Sequence, residues 1–422
     1  MEATRIRLAE GVHLTYLPAR KFKTSLLSAQ FVTPLRRETA GANALLAAVL
    51  RRGTVSCPDM GALSAKMDNL YDASIDYTVR KKGENQCVGF VASFIDDRYA
   101  PDGERLLEPA AALLGELICD PVTYHGRFVP EYFESEKTNL LEAIRSLIND
   151  KRDWADSRLL RALCDGEAYA VPRLGDEETV DKLQALKVYT QYRDLISTAP
   201  LEIIYSGSAD LERVKQALAA AFATLPREEV RVISTAEPHV CRESVQYVED
   251  VLDVTQGKLG MGFSCGSDDM PALLMGNTLF GGSSNSKLFL NVREKLSLCY
   301  YASSLYHRQK GLITVSSGIE FQNYQRAYDE IMAQLEAVQK GELEDWELEG
   351  ARSTLLNSYA TVGDSQGKLE NFYLGQAATG QHETPADLAR AIQDMTAERI
   401  CRAMSTVKLD TVYFLKGKEA EA

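Results

Sequence analysis

The strongest constraint on the fold is an internal repeat that links the two halves of the chain. Residues 183–207 and 392–417 both contain a short helical pattern, a polar turn and a β-rich strand that ends in glycine. Residues 5–18 and 244–257 pair in the same way, and each segment lies near the start of its half. Self-similarity at this scale predicts a duplicated unit rather than one continuous domain.

The boundary between the halves is predicted in a polar stretch that contains two prolines, residues 226–242. We therefore expect a first domain over residues 1–226, a linker over 227–242 and a second domain over 243–422. Both halves mix strand-like and helix-like segments, so the predicted class is α+β, with two homologous sheet-plus-helices domains in tandem. The predicted strands are residues 26–32, 85–94, 258–263 and 311–317, and the predicted helices are residues 104–119, 132–148, 325–339 and 343–359.

Composition and charge narrow the classes of partner. The 422 residues are 45% hydrophobic and 25% charged, and the net charge is −13. This charge argues against nucleic acid or an anionic membrane as a partner, whereas it suits basic peptides. The short basic clusters at residues 36–37, 51–52 and 80–82 are predicted to be solvated faces.

The same sequence indicates a cytoplasmic protein. Its first residues carry early charges without the apolar core of a signal peptide, and no apolar run has the roughly 20 residues of a membrane span. Eight cysteines occur singly, with no Cys-x-x-Cys pair. This distribution is typical of reduced thiols in a cytosolic protein rather than of a disulfide framework.

Residues 41–54, GANALLAAVLRRGT, combine small apolar residues with a basic-Gly-Thr ending. This outline resembles the signature helix of the insulinase/pitrilysin-type zinc peptidases, which include the mitochondrial processing peptidase. Their helix carries His-x-x-Glu-His, in which two histidines bind zinc and the glutamate activates a water molecule. The alignment puts Ala44 and Ala48 at the two histidines and Ala47 at the catalytic glutamate. The resemblance therefore implies no metal and no catalytic group on this helix, which by its residues alone is an ordinary buried helix.

The third zinc ligand of the family is a glutamate on a later helix, and residues 136–144 resemble that segment. Ala143 takes the ligand position, and Glu136 takes a position that in the family supports the ligands. Glu142 is adjacent to Ala143, but one residue is about 100° of helical rotation, so it is a poor substitute.

The positions of the histidines also argue against a zinc site, without any alignment. The five histidines are too far apart in sequence to form a local ligand pair, and each is predicted to be a surface or loop residue: His13, His125, His239, His307 and His382.

The second half keeps more of the family pattern. Residues 279–303 resemble a segment with Gly-Gly-x-x-Ser-basic-Leu-Phe, Arg-Glu-Lys and a Leu-x-Tyr strand. Arg293 and Tyr300 match the Arg and Tyr that, in the family, hold the substrate backbone near the zinc. A guanidinium group can bind a peptide carbonyl, and a phenol can stabilise an oxyanion. The alternative is an ordinary helix-to-strand corner with a surface Arg and a half-buried Tyr.

Together these patterns suggest a non-catalytic subunit of a two-chain zinc metalloprotease. The chain has lost what its own site needs and kept what would complete the site of a partner, either a homologous catalytic subunit or a second copy in a dimer. The resemblance implies a peptide substrate, and zinc only in the catalytic partner. Two alternatives stay open: an active peptidase with a divergent metal site that uses Glu136, Glu142 and a distant histidine, and a stand-alone chamber that binds peptides.

Overall fold

The computed structural model describes residues 3–233 and 237–418. Residues 234–236 of the predicted linker, and residues 1–2 and 419–422 at the ends of the predicted domains, lie outside the described residues. The described chain forms two compact units. The first unit comprises residues 3–145, 171–233 and 363–382, and the second comprises residues 146–170, 237–362 and 383–418.

The elements of the first half alternate between strands and helices. Its strands are β1 (Thr4–Ala9), β2 (Val12–Pro18), β3 (Thr24–Pro34), β4 (Ser74–Lys82), β5 (Asn85–Ile95), β6 (Thr123–Tyr124), β7 (Arg127–Phe128) and β8 (Leu201–Gly207). Its helices are α1 (Arg37–Leu50), α2 (Met60–Asp68), α3 (Leu107–Cys119), α4 (Pro130–Ser146), α5 (Lys151–Leu163), α6 (Glu177–Asp181), α7 (Ala185–Thr198) and α8 (Leu211–Ala221).

The second half is built in the same way. Its strands are β9 (Gln246–Leu252), β10 (Gly257–Cys265), β11 (Cys299–His307), β12 (Leu312–Ile319) and β13 (Val407–Gly417). Its helices are α9 (Met270–Phe280), a π-helix (Leu288–Lys295), α10 (Tyr324–Lys340), α11 (Asp345–Val362), α12 (Gln366–Thr379), α13 (Pro385–Gln393) and α14 (Ala397–Met404).

The two main sheets have the same topology, except that β1 has no counterpart in the second sheet. The strand order is β1-β2-β8-β3-β5-β4 in the first unit, and β9-β13-β10-β12-β11 when the second sheet is read from its opposite edge. In each sheet the last strand of the half pairs in parallel with an early strand of the same half, β8 with β2 and β13 with β9, and the other neighbours are antiparallel. The predicted duplication and the α+β class are therefore confirmed, since the repeated segments contain β8 and β13.

The predicted elements all occur, with ends that differ by a few residues. The predicted strand 26–32 lies within β3, and the predicted helix 104–119 corresponds to α3. Helix α3 is buried on the face that its apolar periodicity indicates, whereas β3 is buried on both faces, since every residue from Ser25 to Thr33 is buried. Each unit forms a core between its sheet and helices. No helix in the described part of the chain is long and apolar enough to cross a bilayer.

The compact units differ from the predicted domains at two segments. Residues 146–170 belong to the second unit and residues 363–382 to the first. The first segment contains α5, which packs on β10 and β13, and a Cβ at Gly262 would meet Leu163 at 2.7 Å. The second segment contains α12, whose buried Gln366 donates to the Ser206 carbonyl at 2.7 Å. Sequence continuity does not reveal such packing, because it depends on surfaces that are distant in the chain.

Candidate functional site

Helix α1 is a buried helix of small side chains, as its sequence predicts. Every residue from Ala40 to Leu50 is buried, and the helix packs against α7, β4 and β5. Its one buried polar side chain, Asn43, donates to Gln86 at 2.9 Å and accepts from Gln191 at 3.0 Å. These bonds satisfy the amide and fix the orientation of α1 within the first unit.

Helix α4 meets α1 at an open cleft of about 770 Å³. Ala44 and Ala48 of α1 line this cleft together with Glu136 and Ala143 of α4. Ala47 contributes instead to a small apolar cavity against the sheet. The structure thus brings together four of the five first-half positions that the resemblance singled out.

Glu136 is held by a basic partner within the cleft. Its side chain accepts from Arg52 Nη1 at 2.9 Å and from Asn139 Nδ2 at 3.2 Å, and only 9% of the residue is exposed. The Arg52 guanidinium also lies 5.0 Å from the centre of the Tyr132 ring. The carboxylate is therefore charge-balanced by a side chain of its own unit.

The residues of this cleft do not fit a zinc ion. Methyl groups occupy the three positions that the resemblance assigns to zinc ligands, and Glu136 is the only acidic residue in the lining, which contains no histidine and no cysteine. Glu142 is exposed and does not line the cleft, so it does not replace the ligand missing at Ala143. A metal would find one carboxylate here, already paired with Arg52.

One other group of potential metal ligands occurs among the described residues, and it lies in the second unit. Cys164, Glu167 and His239 offer ligand atoms within 4.8 Å of one another. His239 is a buried loop residue whose two ring nitrogens face Glu167 at 2.5 Å and Asp410 at 3.3 Å. Lys310 binds Glu167 at 2.6 Å, and Arg242 binds Asp410 at 2.5 Å, so these two carboxylates are already balanced by two cations. We interpret the cluster as a structural network that anchors the loop.

A basic wall borders the first-unit cleft. It consists of Arg80, Lys81 and Lys82 of β4, which is the edge strand of the sheet, and of Arg173 in a turn. The prediction that residues 80–82 form a solvated face is incomplete, because all three line the cleft. Sequence reasoning found the cluster but had no means of placing it beside α1 and α4.

Arg293 and Tyr300 lie together in the second unit. Both line a cleft of about 440 Å³, with Arg293 in the last turn of the π-helix and Tyr300 at the start of β11. π-helical turns are rare and are often found at functional sites. The Arg293 guanidinium lies 4.7 Å from the Phe289 ring centre, and 62% of Tyr300 is exposed. Tyr300 is therefore more exposed than the half-buried tyrosine expected in the alternative, an ordinary helix-to-strand corner.

Glu320 is a member of this second cleft that sequence reasoning missed. The Tyr300 hydroxyl donates to Glu320 Oε1 at 2.7 Å. This hydrogen bond, together with the negative charge of Glu320, raises the pKa of Tyr300 above its ordinary value. The phenol therefore keeps its proton at neutral pH and is oriented by the carboxylate. No local pattern marks Glu320, because it approaches Tyr300 only through the pairing of β11 with β12.

Known proteins share this architecture over nearly the whole chain. The probable inactive metalloprotease YmfF of Bacillus subtilis is 35% identical over 416 residues, which cover 97% of this chain and 96% of that protein. A conserved protein from Enterococcus faecalis has a solved structure with a TM-score of 0.90 and 27% identity, covering 99% of each chain. A peptidase M16 inactive domain from Pseudomonas fluorescens shares the fold, with a TM-score of 0.81 and 18% identity over 99% of this chain and 98% of that one.

A family profile matches within the chain as well. Residues 182–355 match the family described as the peptidase M16 inactive domain. The chain belongs to the insulinase/pitrilysin-type M16 peptidase family, as an inactive homologue.

Proposed function

We propose that this chain is the non-catalytic subunit of a two-chain zinc peptidase. In this proposal it forms part of a chamber for peptide substrates, and Arg293 and Tyr300 complete the active site of a catalytic partner. The partner is a homologous chain with an intact His-x-x-Glu-His motif. A second copy of this chain would give a dimer without any complete site.

The observation that carries the proposal is an asymmetry between the two halves. The first-half site has methyl groups at the positions that the resemblance assigns to ligands, whereas the second half presents a half-buried Arg293 and an exposed Tyr300 in one open cleft. A guanidinium and a protonated phenol are the groups that bind a peptide carbonyl and its developing oxyanion. An inactive subunit that contributed only scaffolding would have no use for this pair.

A second candidate function is a stand-alone peptide-binding chamber. It is favoured by the first-unit cleft, which stays open at about 770 Å³ although it holds no metal ligands. An active peptidase with a divergent metal site is not supported, because Glu142 lies outside the cleft lining and no histidine contributes to it.

Coexpression with a catalytic homologue tests the proposal. Size-exclusion chromatography with light scattering reports whether the two chains assemble, and peptide turnover is compared for the catalytic chain with and without this one. The proposal expects a heteromeric complex with faster turnover than the catalytic chain alone. A monodisperse chain that never joins the homologue, yet binds peptides, would support the stand-alone chamber instead.

The cellular compartment of the protein is also part of this proposal. A cytoplasmic location is supported by the dispersion of the eight cysteines, five of which are buried. Burial raises the pKa of the Cys87 and Cys265 thiols to about 12, which keeps them protonated and unreactive. Neither nucleic acid nor a membrane is expected as a partner.

A further inference from the structure

We propose that the outer edge of β9, in the second unit, binds an extended segment of another protein in which basic and apolar residues alternate. The segment adds to the second sheet as an antiparallel strand. This inference goes beyond the proposed peptidase role, because β9 lines neither the first-unit cleft nor the cleft of Arg293 and Tyr300.

The first observation is that β9 lacks a neighbour that its counterpart has. In the first sheet β2 lies between β8 and β1, whereas in the second sheet β9 pairs with β13 alone among the described strands. Within the described part of the chain, residues 246–252 form no backbone–backbone hydrogen bond outside the sheet. The outer edge of β9 is therefore a template for a further strand.

The second observation is that β2 and β9 occupy the same place in their sheets. Residues 12–18 pair in parallel with residues 201–207, and residues 246–252 pair in the same way with residues 411–417. In both sheets the last of these pairs contains the glycine that ends the repeated strand. The two strands can therefore be compared position by position.

Burial differs between the two strands as expected for a covered and an open edge. Leu14 of β2 is buried beside β1, whereas the matching Val248 of β9 is half-buried. Leu17 has no exposed surface, but its match, Val251, is 40% exposed. Tyr247 is also exposed. A further strand would remove this apolar surface from water, which is favourable.

Strand β1 gives the pattern that such a strand needs. It pairs antiparallel with β2, has an isoleucine opposite Leu14, and carries Arg5 and Arg7 on either side of that isoleucine. The two arginines lie opposite the β2 residues that match Glu249 and Tyr247. A strand that lies on β9 as β1 lies on β2 therefore meets an acid and an aromatic ring with alternate residues.

The side chains of β9 suit that pattern. Glu249 is exposed, and its Oε2 binds Lys416 Nζ at 2.9 Å. A carboxylate has two oxygens, so it can accept from a second basic residue. The exposed Tyr247 ring can bind another cation over its face. Val248 packs in an apolar cluster with Leu159, which an apolar residue of the added strand would extend.

A second copy of this chain does not supply the segment. Its β1 is built into its own first sheet, where Arg5 Nη2 donates to buried Glu202 at 2.6 Å. The net charge of −13 also opposes self-association and favours a basic partner. The segment therefore comes from another protein.

The test uses the full chain and two dye-labelled peptides. One has the sequence of residues 3–10, ATRIRLAE, and the other has glutamate at both arginines. Fluorescence anisotropy should show that the arginine peptide binds about tenfold more tightly, because two cross-strand charge contacts change sign. Hydrogen–deuterium exchange of residues 246–252 should slow when the arginine peptide is bound.

Variants of β9 place the binding at this edge. Glu249→Lys should reverse the preference between the two peptides, and Tyr247→Ala should weaken binding of the arginine peptide. Thermal unfolding should confirm that each variant is folded. Glu398→Lys is the matched control, since Glu398 is likewise an exposed acid in the second unit, paired with Arg402 at 2.9 Å.

Two further arginine peptides test the strand geometry itself. N-methylation of both arginines removes N–H donors from one edge of the extended peptide, and N-methylation of its isoleucine and leucine removes them from the other edge. Only one edge of the peptide pairs with β9. One pattern of methylation should therefore abolish binding, whereas the other should leave it nearly unchanged.

Several results would overturn the inference. They are absence of binding, equal affinity for the arginine and glutamate peptides, equal effects of the two methylation patterns, and a preference that is unchanged in folded Glu249→Lys. Slower exchange in residues 4–18 instead of 246–252 would show that the peptide replaces β1. Self-association of the chain that Glu249→Lys abolishes would assign the edge to a second copy. None of these results affects the proposed role of Arg293 and Tyr300.

Discussion

Arg52 Nη1 donates to Glu136 Oε1 at 2.9 Å, directly beside the positions where a catalytic homologue would hold zinc. The carboxylate that survives from the family pattern is thus engaged by the basic residue that precedes the Gly53-Thr54 ending. One residue from each of the two first-half segments that resemble the family, α1 with its basic ending and α4, thus stabilises the other.

This pair should contribute to stability. Glu136→Gln should lower the free energy of unfolding by about 1–3 kcal/mol, because Arg52 would lose its charged acceptor in a partly buried site. Urea denaturation measures the effect, and Glu336→Gln is a matched control on an exposed pair with Lys340, expected to leave the free energy of unfolding nearly unchanged. If Arg52→Met and Glu136→Gln have additive effects in the double variant, the two residues are not coupled.

Rebuilding the ligand set should restore metal binding in steps. Ala44→His with Ala48→His supplies two ligands and should not retain stoichiometric zinc through gel filtration. Adding Ala143→Glu should give one zinc per chain by elemental analysis, because all three positions line one cleft. The triple variant should remain inactive, since Ala47 supplies no general base. Zinc retention that is equal with Ala143→Gln would show that α4 does not provide the third ligand.

Arg293 and Tyr300 should act on the partner rather than on the chain itself. Arg293→Ala should weaken peptide affinity, and Tyr300→Phe should lower the catalytic rate of the complex by at most about 10²–10³-fold, the cost of one oxyanion donor. Turnover with a catalytic homologue is the measurement, and complex formation must be unchanged. Turnover equal to wild type in both variants would show that Arg293 and Tyr300 only form an ordinary helix-to-strand corner.

The increase in the catalytic partner's turnover that this chain is proposed to cause, its stimulation, should also persist into mildly alkaline solution. The pKa of Tyr300 is raised from 10.0 by its hydrogen bond to Glu320, so the phenol stays protonated as the pH rises. Turnover of the complex relative to the catalytic chain alone should therefore be flat between about pH 7 and 9. Glu320→Gln should remove the effect of the carboxylate on the pKa of Tyr300, so the stimulation should be lost at a lower pH than in the wild type.

Asp410 should make the stability of the second unit sensitive to acid. Burial alone would raise the pKa of Asp410, but the backbone N–H of Arg242, the Thr411 hydroxyl and His239 outweigh it, and the pKa is lowered from 3.8. A lowered pKa gives stability that is present above 3.8 and is lost as the pH falls through the folded value. In urea unfolding from pH 7 down to about pH 3, Asp410→Asn should be less stable at neutral pH and should show a shallower acid loss.

The sequence predicted those features that depend on local patterns. The helix at 104–119 and the strand at 26–32 were found because their apolar periodicity is set by the residues themselves. Alignment of the basic-Gly-Thr ending with the family pattern assigned Ala44 and Ala48 to ligand positions, and both line the cleft. The duplication followed from the repeat, and the matching strand orders of the two sheets confirm it.

Features that depend on contacts distant in sequence were not predictable. The basic cluster at 80–82 was assigned to solvent, because nothing in its own sequence reveals that α4 and Arg173 border the same space. Glu320 became visible only when β12 was seen to pair with β11. The compact units differed from the predicted domains because α5 and α12 bury their surfaces against strands far away in the chain.

The placement of α12 has a consequence for how the protein can be divided. Its Glu370 forms a bidentate pair with Arg80 and accepts from Ser28 at 2.7 Å, all within the first unit, although α12 follows the linker by more than a hundred residues. A fragment that ends at the linker would therefore leave Arg80 without its carboxylate partner Glu370, and the complementary fragment would lack α5. The halves descend from one repeated design, but neither is a module that can be expressed, swapped or fused by cutting the chain at its middle.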